Sequence, residues 1–175
     1  VPGTNRWQGV HSLFGGAASR LVVSEARTVA IQDSLGEQAV LLALAATAYH
    51  AVAGGGQREH IRAPDLIVGH GVMGRLLARL TVAAGEPPPT VWETATHRQS
   101  GASGYTVTHP DDDPRRDYRA IYDVSGDAAI LNTLIQRLQP GGEVVLAGFY
   151  KDALSFAYAP AFMREAQIRT AAEWK

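Results

Sequence analysis

The 175-residue chain is 46% hydrophobic and has a formal net charge of −1, so it can bury the core of one domain but exerts no electrostatic pull on nucleic acid or anionic lipid. It contains no cysteine, which excludes disulfides and any thiolate-bound zinc or iron–sulfur cluster within these residues and fits a reducing, cytoplasmic setting. The longest apolar run, Val40 to Ala48, is shorter than the roughly 20 residues that cross a bilayer, and residues 1–6 lack the basic and apolar regions of a signal peptide.

The first 31 residues read as loop and strand, with β-prone runs at Leu21-Val22-Val23 and Thr28-Val29-Ala30-Ile31. Residues 36–53 read as a helix rich in Ala and Leu, with Asp33 and Glu37 near its start, where the helix dipole favours negative charge. Being apolar on nearly every side, this helix is expected to be buried. Gly54-Gly55-Gly56 ends it.

From residue 65 strands and helices alternate, the pattern of a parallel α/β sheet. Asp65 to Val68 reads as a buried strand, and Val72 to Ala84 as a helix with apolar residues at 72, 73, 76, 77 and 80. Gly85 and Pro87-Pro88-Pro89 prevent continuation. Thr90 to Glu93 is a second strand, and Tyr105 to Thr108 a third after a polar segment with room only for a short helix. Residues 111–116 read as a solvated, charged turn. Arg119 to Val124 is a fourth strand, and Asp127 to Leu138 a helix. Pro140-Gly141-Gly142 turns the chain into a fifth strand, Glu143 to Phe149. A short helix at Pro160 to Glu165 and a last strand from Ile168 to Trp174 complete the reading.

The chemistry lies between the first strand of that series and its helix. Gly69-His70-Gly71-Val72-Met73-Gly74 has the spacing G-x-G-x-x-G, follows a strand and opens an amphipathic helix, the context in which the pattern binds a dinucleotide. Gly69 permits the tight turn, Gly71 lets a pyrophosphate approach the backbone, and Gly74 lets the helix pack on the strand. The free N–H groups of the first helical turn then receive the phosphates. Glu93 lies 19 residues beyond Gly74, where an acid accepts hydrogen bonds from the adenosine ribose. Its charge would repel a 2′-phosphate, which favours NAD over NADP, although His97 and Arg98 just beyond are placed to hold one. The same strand, glycine turn and acid also open S-adenosylmethionine-dependent methyltransferases. Ile67 stands where those enzymes usually carry an acid.

Several segments resemble the medium-chain dehydrogenase/reductase superfamily. They are Phe14 to Val23, the helical Leu41 to Val52, the fingerprint, Asp123-Val124-Ser125-Gly126, and Leu138 to Gly148. The resemblance implies a doubly wound Rossmann sheet with a remnant of a β-rich, GroES-like catalytic domain. It divides the chain into the tail of a truncated catalytic domain and joining segment (1–40), an NAD-binding domain (41–160) and the start of a return segment (161–175). It also implies pairing of two copies through the edge strand, Ile168 to Trp174. By the same resemblance Ser125 and Gly126 lie near the adenine side of the coenzyme, and Ala147, Gly148 and Phe149 border the nicotinamide. His70 lies near the pyrophosphate, with Tyr150 and Lys151 near the reactive end. Thr47 matches a position beside the nicotinamide and, with His50, is a catalytic candidate. One ligand of the family's catalytic zinc would fall at Ala43, so no metal is expected. His11 and His50 have no partner at zinc-site spacing and read as a loop residue and a helix face. Remaining alternatives are another zinc-independent alcohol dehydrogenase or quinone reductase, and a nucleotide-binding module without catalysis.

Overall fold

Strand order decides where an α/β sheet can bind a ligand, and here it reverses once. A computed structural model describes residues 19–20, 22, 24–53 and 62–171. Its six strands are β1 (Leu66–Val68), β2 (Thr90–Trp92), β3 (Thr106–Thr108), β4 (Tyr118–Asp123), β5 (Leu138–Leu146) and β6 (Gln167–Thr170). They form one sheet in the order β3-β2-β1-β4-β5-β6, every pairing parallel. The chain leaves β1 toward β2 and β3 on one side and returns to β4 on the other, so the switch point lies between β1 and β4.

Alternation along the strands separates two cores. Leu66, Val68, Ile121, Val144 and Leu146 face one side, where α3 (Leu131–Arg137) contributes Leu131, Leu134 and Ile135, and α4 (Tyr158–Met163) contributes Ala161. Ile67, Val91, Ala120, Tyr122 and Val145 face the other, against Leu77 and Ala78 of α2 (Val72–Ala83) and Ala48 and Ala51 of α1 (Leu42–Ala53). Burial on both faces explains why the central strands read as unbroken apolar runs.

The chain divides into two compact units, Val1–Val40 and Leu41–Lys175. Among its described residues the first holds 3-10 turns, at Glu25–Arg27 and within Asp33–Leu41, and no strand. The strand expected at Thr28 to Ile31 is therefore corrected to coil, with Val29 and Ile31 exposed. β-prone residues with no neighbouring strand cannot complete a hydrogen-bonded ladder. Leu21 and Val23, His11, the Gly54–Gly56 stop, most of Phe14 to Val23 and the end of the last strand lie outside the described residues.

The helix expected over 36–53 begins as a 3-10 segment kinked at Gly36 (φ 49°) and becomes α-helical only at Leu42. It is not buried as expected: Leu42, Leu44 and Tyr49 are exposed, while Ala48 and Ala51 enter the core and Val52 packs against it. The stretch Asp33–Val52, 20 residues at mean hydropathy 1.2, is long and apolar enough by length and composition to cross a membrane. This revises the expectation drawn from the uninterrupted run alone, although the kink divides the stretch and a core helix of a globular domain meets the same criterion.

Three further readings change. β5 leaves the sheet at Leu146, three residues earlier than expected, and starts at Leu138, which pairs with Tyr118 before the Pro140–Gly142 turn bulges outward. Gln167 to Thr170 forms the edge strand, shorter than expected among the described residues. Within the charged turn, Asp113 is buried: its carboxylate accepts from Trp92 Nε1 at 2.6 Å and Tyr118 Oη at 2.5 Å.

Ahead of β1, Asp65 fastens the central strands together. Its carboxylate accepts from the Arg119 backbone N–H at 2.9 Å and from the Arg119 guanidinium at 2.9 and 2.6 Å. Burial raises its pKa, but these bonds and the charges of Arg119 and Arg115 outweigh burial and hold it below the usual aspartate value. A depressed carboxylate stabilises the fold above its unfolded pKa and loses that contribution as pH falls through the folded one. Asp65→Ala is expected to cost about 1–3 kcal/mol in neutral urea unfolding. The deficit should shrink as acidification protonates Asp65 in the parent chain.

Candidate functional site

The three glycines of the fingerprint do three different jobs in the backbone. Gly69 follows β1 at φ 104°, a region that L side chains avoid. A Cβ on Gly74 would stand 1.8 Å from the Gly69 carbonyl oxygen, so only glycine lets α2 meet the turn this closely. Gly71, the N-cap of α2, has ordinary extended angles (φ −74°, ψ −168°) and no side-chain cap. A Cβ there would meet nothing within 4 Å. The first amides of α2 have no intrahelical acceptor, and the space over Gly71 lets a ligand approach them. Val72, half exposed, and Met73 continue that turn.

Across the switch point the turn after β4 lies against this one. A Cβ on Gly69 would contact the Ser125 backbone at 3.4 Å, one on Gly126 would stand 2.9 Å from the Phe149 carbonyl oxygen, and one on Gly148 would be 3.3 Å from Gly126 N. The ends of β1, β4 and β5 therefore meet backbone to backbone. The structure brings Gly69 to Gly74, Ser125, Gly126 and Ala147 to Phe149 together at the carboxyl ends of these strands. Phe149 is largely exposed there.

Asp123 holds two of those ends in register. It is buried, and its carboxylate accepts from Ser125 N–H at 2.9 Å and Tyr150 Oη at 2.8 Å. Burial dominates and raises its pKa above the usual aspartate value despite these bonds. Sequence reasoning gave neither residue this part. An acid ending a strand at the switch point was the available signal.

Glu93, expected as the last residue of the second strand, lies one residue beyond the end of β2 and is buried. Its Oε2 accepts from His70 N–H at 3.1 Å and its Oε1 from Ala95 N–H at 2.9 Å. Burial alone would raise its pKa, but the two backbone donors and the Arg98 charge bring it below the usual glutamate value. The carboxylate is thus ionised and anchored beside the glycine turn. His97 and Arg98 are exposed on the following 3-10 turn.

Thr47 and His50 are both partly buried on α1, and the Thr47 hydroxyl donates to Ala43 O at 3.2 Å in its own helix. Among the described residues no group of three or more His, Asp or Glu side chains is arranged to hold a metal ion.

Sheet order and glycine turn define the class: this is a Rossmann-type, doubly wound α/β fold. Comparison with known proteins narrows it. The chain is 53% identical over its whole length to 2-desacetyl-2-hydroxyethyl bacteriochlorophyllide A dehydrogenase of Rhodobacter capsulatus, and equally to the protein of that name from Cereibacter sphaeroides. It spans 55% of the length of each. No family model matches. Similar solved structures include L-idonate 5-dehydrogenase from Escherichia coli, with a TM-score of 0.70 and 19% identity over 86% of this chain and 46% of that one. Another is 2R,3R-butanediol dehydrogenase from Bacillus subtilis, with a TM-score of 0.66 and 20% identity over 79% of this chain and 43% of that one. The solved structures share this chain's fold, and both relatives are named as dehydrogenases.

Two substitutions separate packing from open space. Gly74→Ala is expected to lower stability by at least about 2 kcal/mol, because backbone must move. Gly71→Ala should stay within about 0.5 kcal/mol of the parent. Urea unfolding distinguishes them. Asp123→Asn tests the raised carboxyl, whose stabilising contribution is present below its unfolded pKa and lost as pH rises through the folded one. The amide can still accept from Ser125 N–H and donate to Tyr150, so the variant should gain stability relative to the parent as pH rises across that window.

Proposed function

We propose that this chain is the coenzyme-binding part of a medium-chain dehydrogenase that oxidises the 3-(1-hydroxyethyl) group of a bacteriochlorophyllide to 3-acetyl, with NAD, in bacteriochlorophyll a biosynthesis. The observation that carries the coenzyme reading is the open backbone over Gly71 at the switch point, flanked by Gly69 and Gly74 and by the ionised Glu93. The substrate rests on the names of the two relatives. Solved structures of the same fold include acetophenone reductase from Geotrichum candidum in complex with NAD, with a TM-score of 0.62 and 20% identity over 75% of this chain and 39% of that one.

In this reading the amides of Val72 to Gly74 bind the diphosphate, which their orientation and the helix dipole favour. Glu93 receives the adenosine ribose hydroxyls and disfavours a 2′-phosphate. Ser125 and Gly126 flank the adenine side, and His70 stands beside the diphosphate turn. Ala147, Gly148 and Phe149 line the nicotinamide end, where Asp123 and Tyr150 keep the β4 and β5 ends in place. Bound there, NAD would supply the hydride acceptor.

Thr47 and His50 remain the candidates on this chain for work at the reacting centre. With Ala43 at the family's ligand position, the reaction is proposed to run without zinc, because conjugation of the new carbonyl with the macrocycle lowers the need for a Lewis acid. Loss of activity on chelation, restored by zinc alone, would overturn this part. A large flat tetrapyrrole needs an apolar cleft, and its walls would come partly from residues beyond this chain. The division at 40 and 160, pairing of two copies through β6 and a cytoplasmic setting belong to the same proposal. The methyltransferase, quinone reductase and non-catalytic readings are less favoured, since both relatives at 53% identity are named as a bacteriochlorophyllide dehydrogenase.

Fluorescence titration with NADH tests the coenzyme assignment. The parent chain should bind NADH more tightly than NADPH, and Gly71→Ala should bind it about tenfold more weakly, a difference of about 1.4 kcal/mol, with its fold intact. A parent that binds neither nucleotide refutes the assignment. For the substrate, the full-length protein should reduce NAD when given a hydroxyethyl bacteriochlorophyllide; turnover of simple secondary alcohols but not the tetrapyrrole would refute it.

A further inference from the structure

The second position of the glycine fingerprint needs only a backbone, yet here it carries a histidine whose whole ring is used. His70 is 1% exposed. Its Nδ1 lies 2.6 Å from the Arg98 carbonyl oxygen and its Nε2 lies 2.7 Å from Tyr105 Oη. A carbonyl only accepts, so Nδ1 carries the proton and Nε2 of the neutral ring accepts from the tyrosine hydroxyl. The ring also packs edge-on against Tyr105. Both partners belong to the segment between β2 and β3, one in its 3-10 turn and the other at its far end. The His70 backbone is engaged too, its N–H by Glu93 and its carbonyl by Arg75 Nε at 3.1 Å.

Arg75 reaches the same segment, donating to Arg98 O at 3.1 Å and Ser100 O at 2.8 Å, but these bonds are exposed to water. The bond to Tyr105 is buried, so losing it leaves a desolvated group without a partner, the costlier case. The segment carries His97 and Arg98, the exposed basic side chains nearest in sequence to Glu93, and Arg98 is the residue whose backbone His70 holds.

Resting on the coenzyme reading above, we propose that His70 is a positioning residue for coenzyme discrimination: its ring fastens the Thr94–Tyr105 segment to the fingerprint and so fixes where Arg98 and His97 stand relative to the ribose 2′ position. Held in this way, the two side chains stay at their present stations and Glu93 sets the preference for the unphosphorylated ribose. Released, the segment can swing the Arg98 guanidinium and the His97 imidazole toward a 2′-phosphate.

The test compares parent, His70→Leu and Tyr105→Phe forms of the full-length protein by NADH and NADPH titration, with limited trypsin cleavage after Arg98 as a second measurement. His70→Leu should bind NADH about tenfold more weakly, lose part of its preference for NADH over NADPH and be cut faster after Arg98. Tyr105→Phe, which removes one oxygen atom and keeps the ring, should shift in the same direction by a smaller factor, so the inference stays testable if His70→Leu does not fold. A general loss of stability would weaken both nucleotides equally. An unchanged NADH-to-NADPH ratio in Tyr105→Phe, or in a folded His70→Leu, overturns the inference while leaving the coenzyme reading standing. A parent that binds neither nucleotide overturns both.

Discussion

The whole site depends on one contact, between α2 and the turn that leaves β1. At Gly74 a single added carbon would lie 1.8 Å from the Gly69 carbonyl oxygen. Because nothing projects from Gly74, α2 begins directly over the end of β1 and its unpaired amides face the switch point. The neighbouring turns follow the same rule, since Gly126 and Gly148 let the ends of β4 and β5 close on each other without side chains between them. The crevice is therefore lined by backbone, a rigid and preorganised surface whose donors need no rotamer ordering to meet a ligand.

Three buried acids fasten the strands, Asp65 at their amino ends and Glu93 and Asp123 at their carboxyl ends, and their surroundings set them apart. Asp65 faces a guanidinium and is held low. Glu93 accepts two backbone N–H bonds with Arg98 nearby and is also held low. Asp123 has donors but no cation among the causes that shift it, and burial carries its pKa upward. Burial opposes ionisation in all three and is deepest at Asp123, so it prevails there, whereas at Asp65 and Glu93 the hydrogen-bond donors and nearby arginines together outweigh it. Two of these acids stay charged to anchor backbone, while the third is the most easily protonated of them and sits where β4 and β5 meet.

Much of the sheet was legible because its signals are local. The strands at 66–68, 90–92 and 118–123 are short apolar runs bounded by turn residues, and α2 shows a clear helical period between a fingerprint and a glycine stop. The errors came where a residue's fate depends on a distant partner. Thr28 to Ile31 has β-prone side chains, but a strand exists only with a neighbour to pair with. The α1 residues are apolar on most sides, yet the face that packs on the core is a narrow one, Ala48, Ala51 and Val52. Asp113 sits in a charged run and is buried where Trp92, 21 residues away, donates to it together with the nearby Tyr118. Within the site, the roles of Asp123 and His70 were hidden for the same reason, as their partners lie 27 and 28 to 35 residues away.

By itself the sequence determined the parallel α/β class, the position of the glycine turn, the acid 19 residues beyond it and the likeness to medium-chain dehydrogenases. Those properties reside in spacing and residue type, which the chain carries whether or not it is folded. Only the tertiary structure decided which side of the sheet each helix covers, where β5 ends, in which direction each buried acid is shifted and what the fingerprint histidine touches. Burial and hydrogen-bond partnership are properties of pairs brought together across the sheet, and no single stretch of chain contains them.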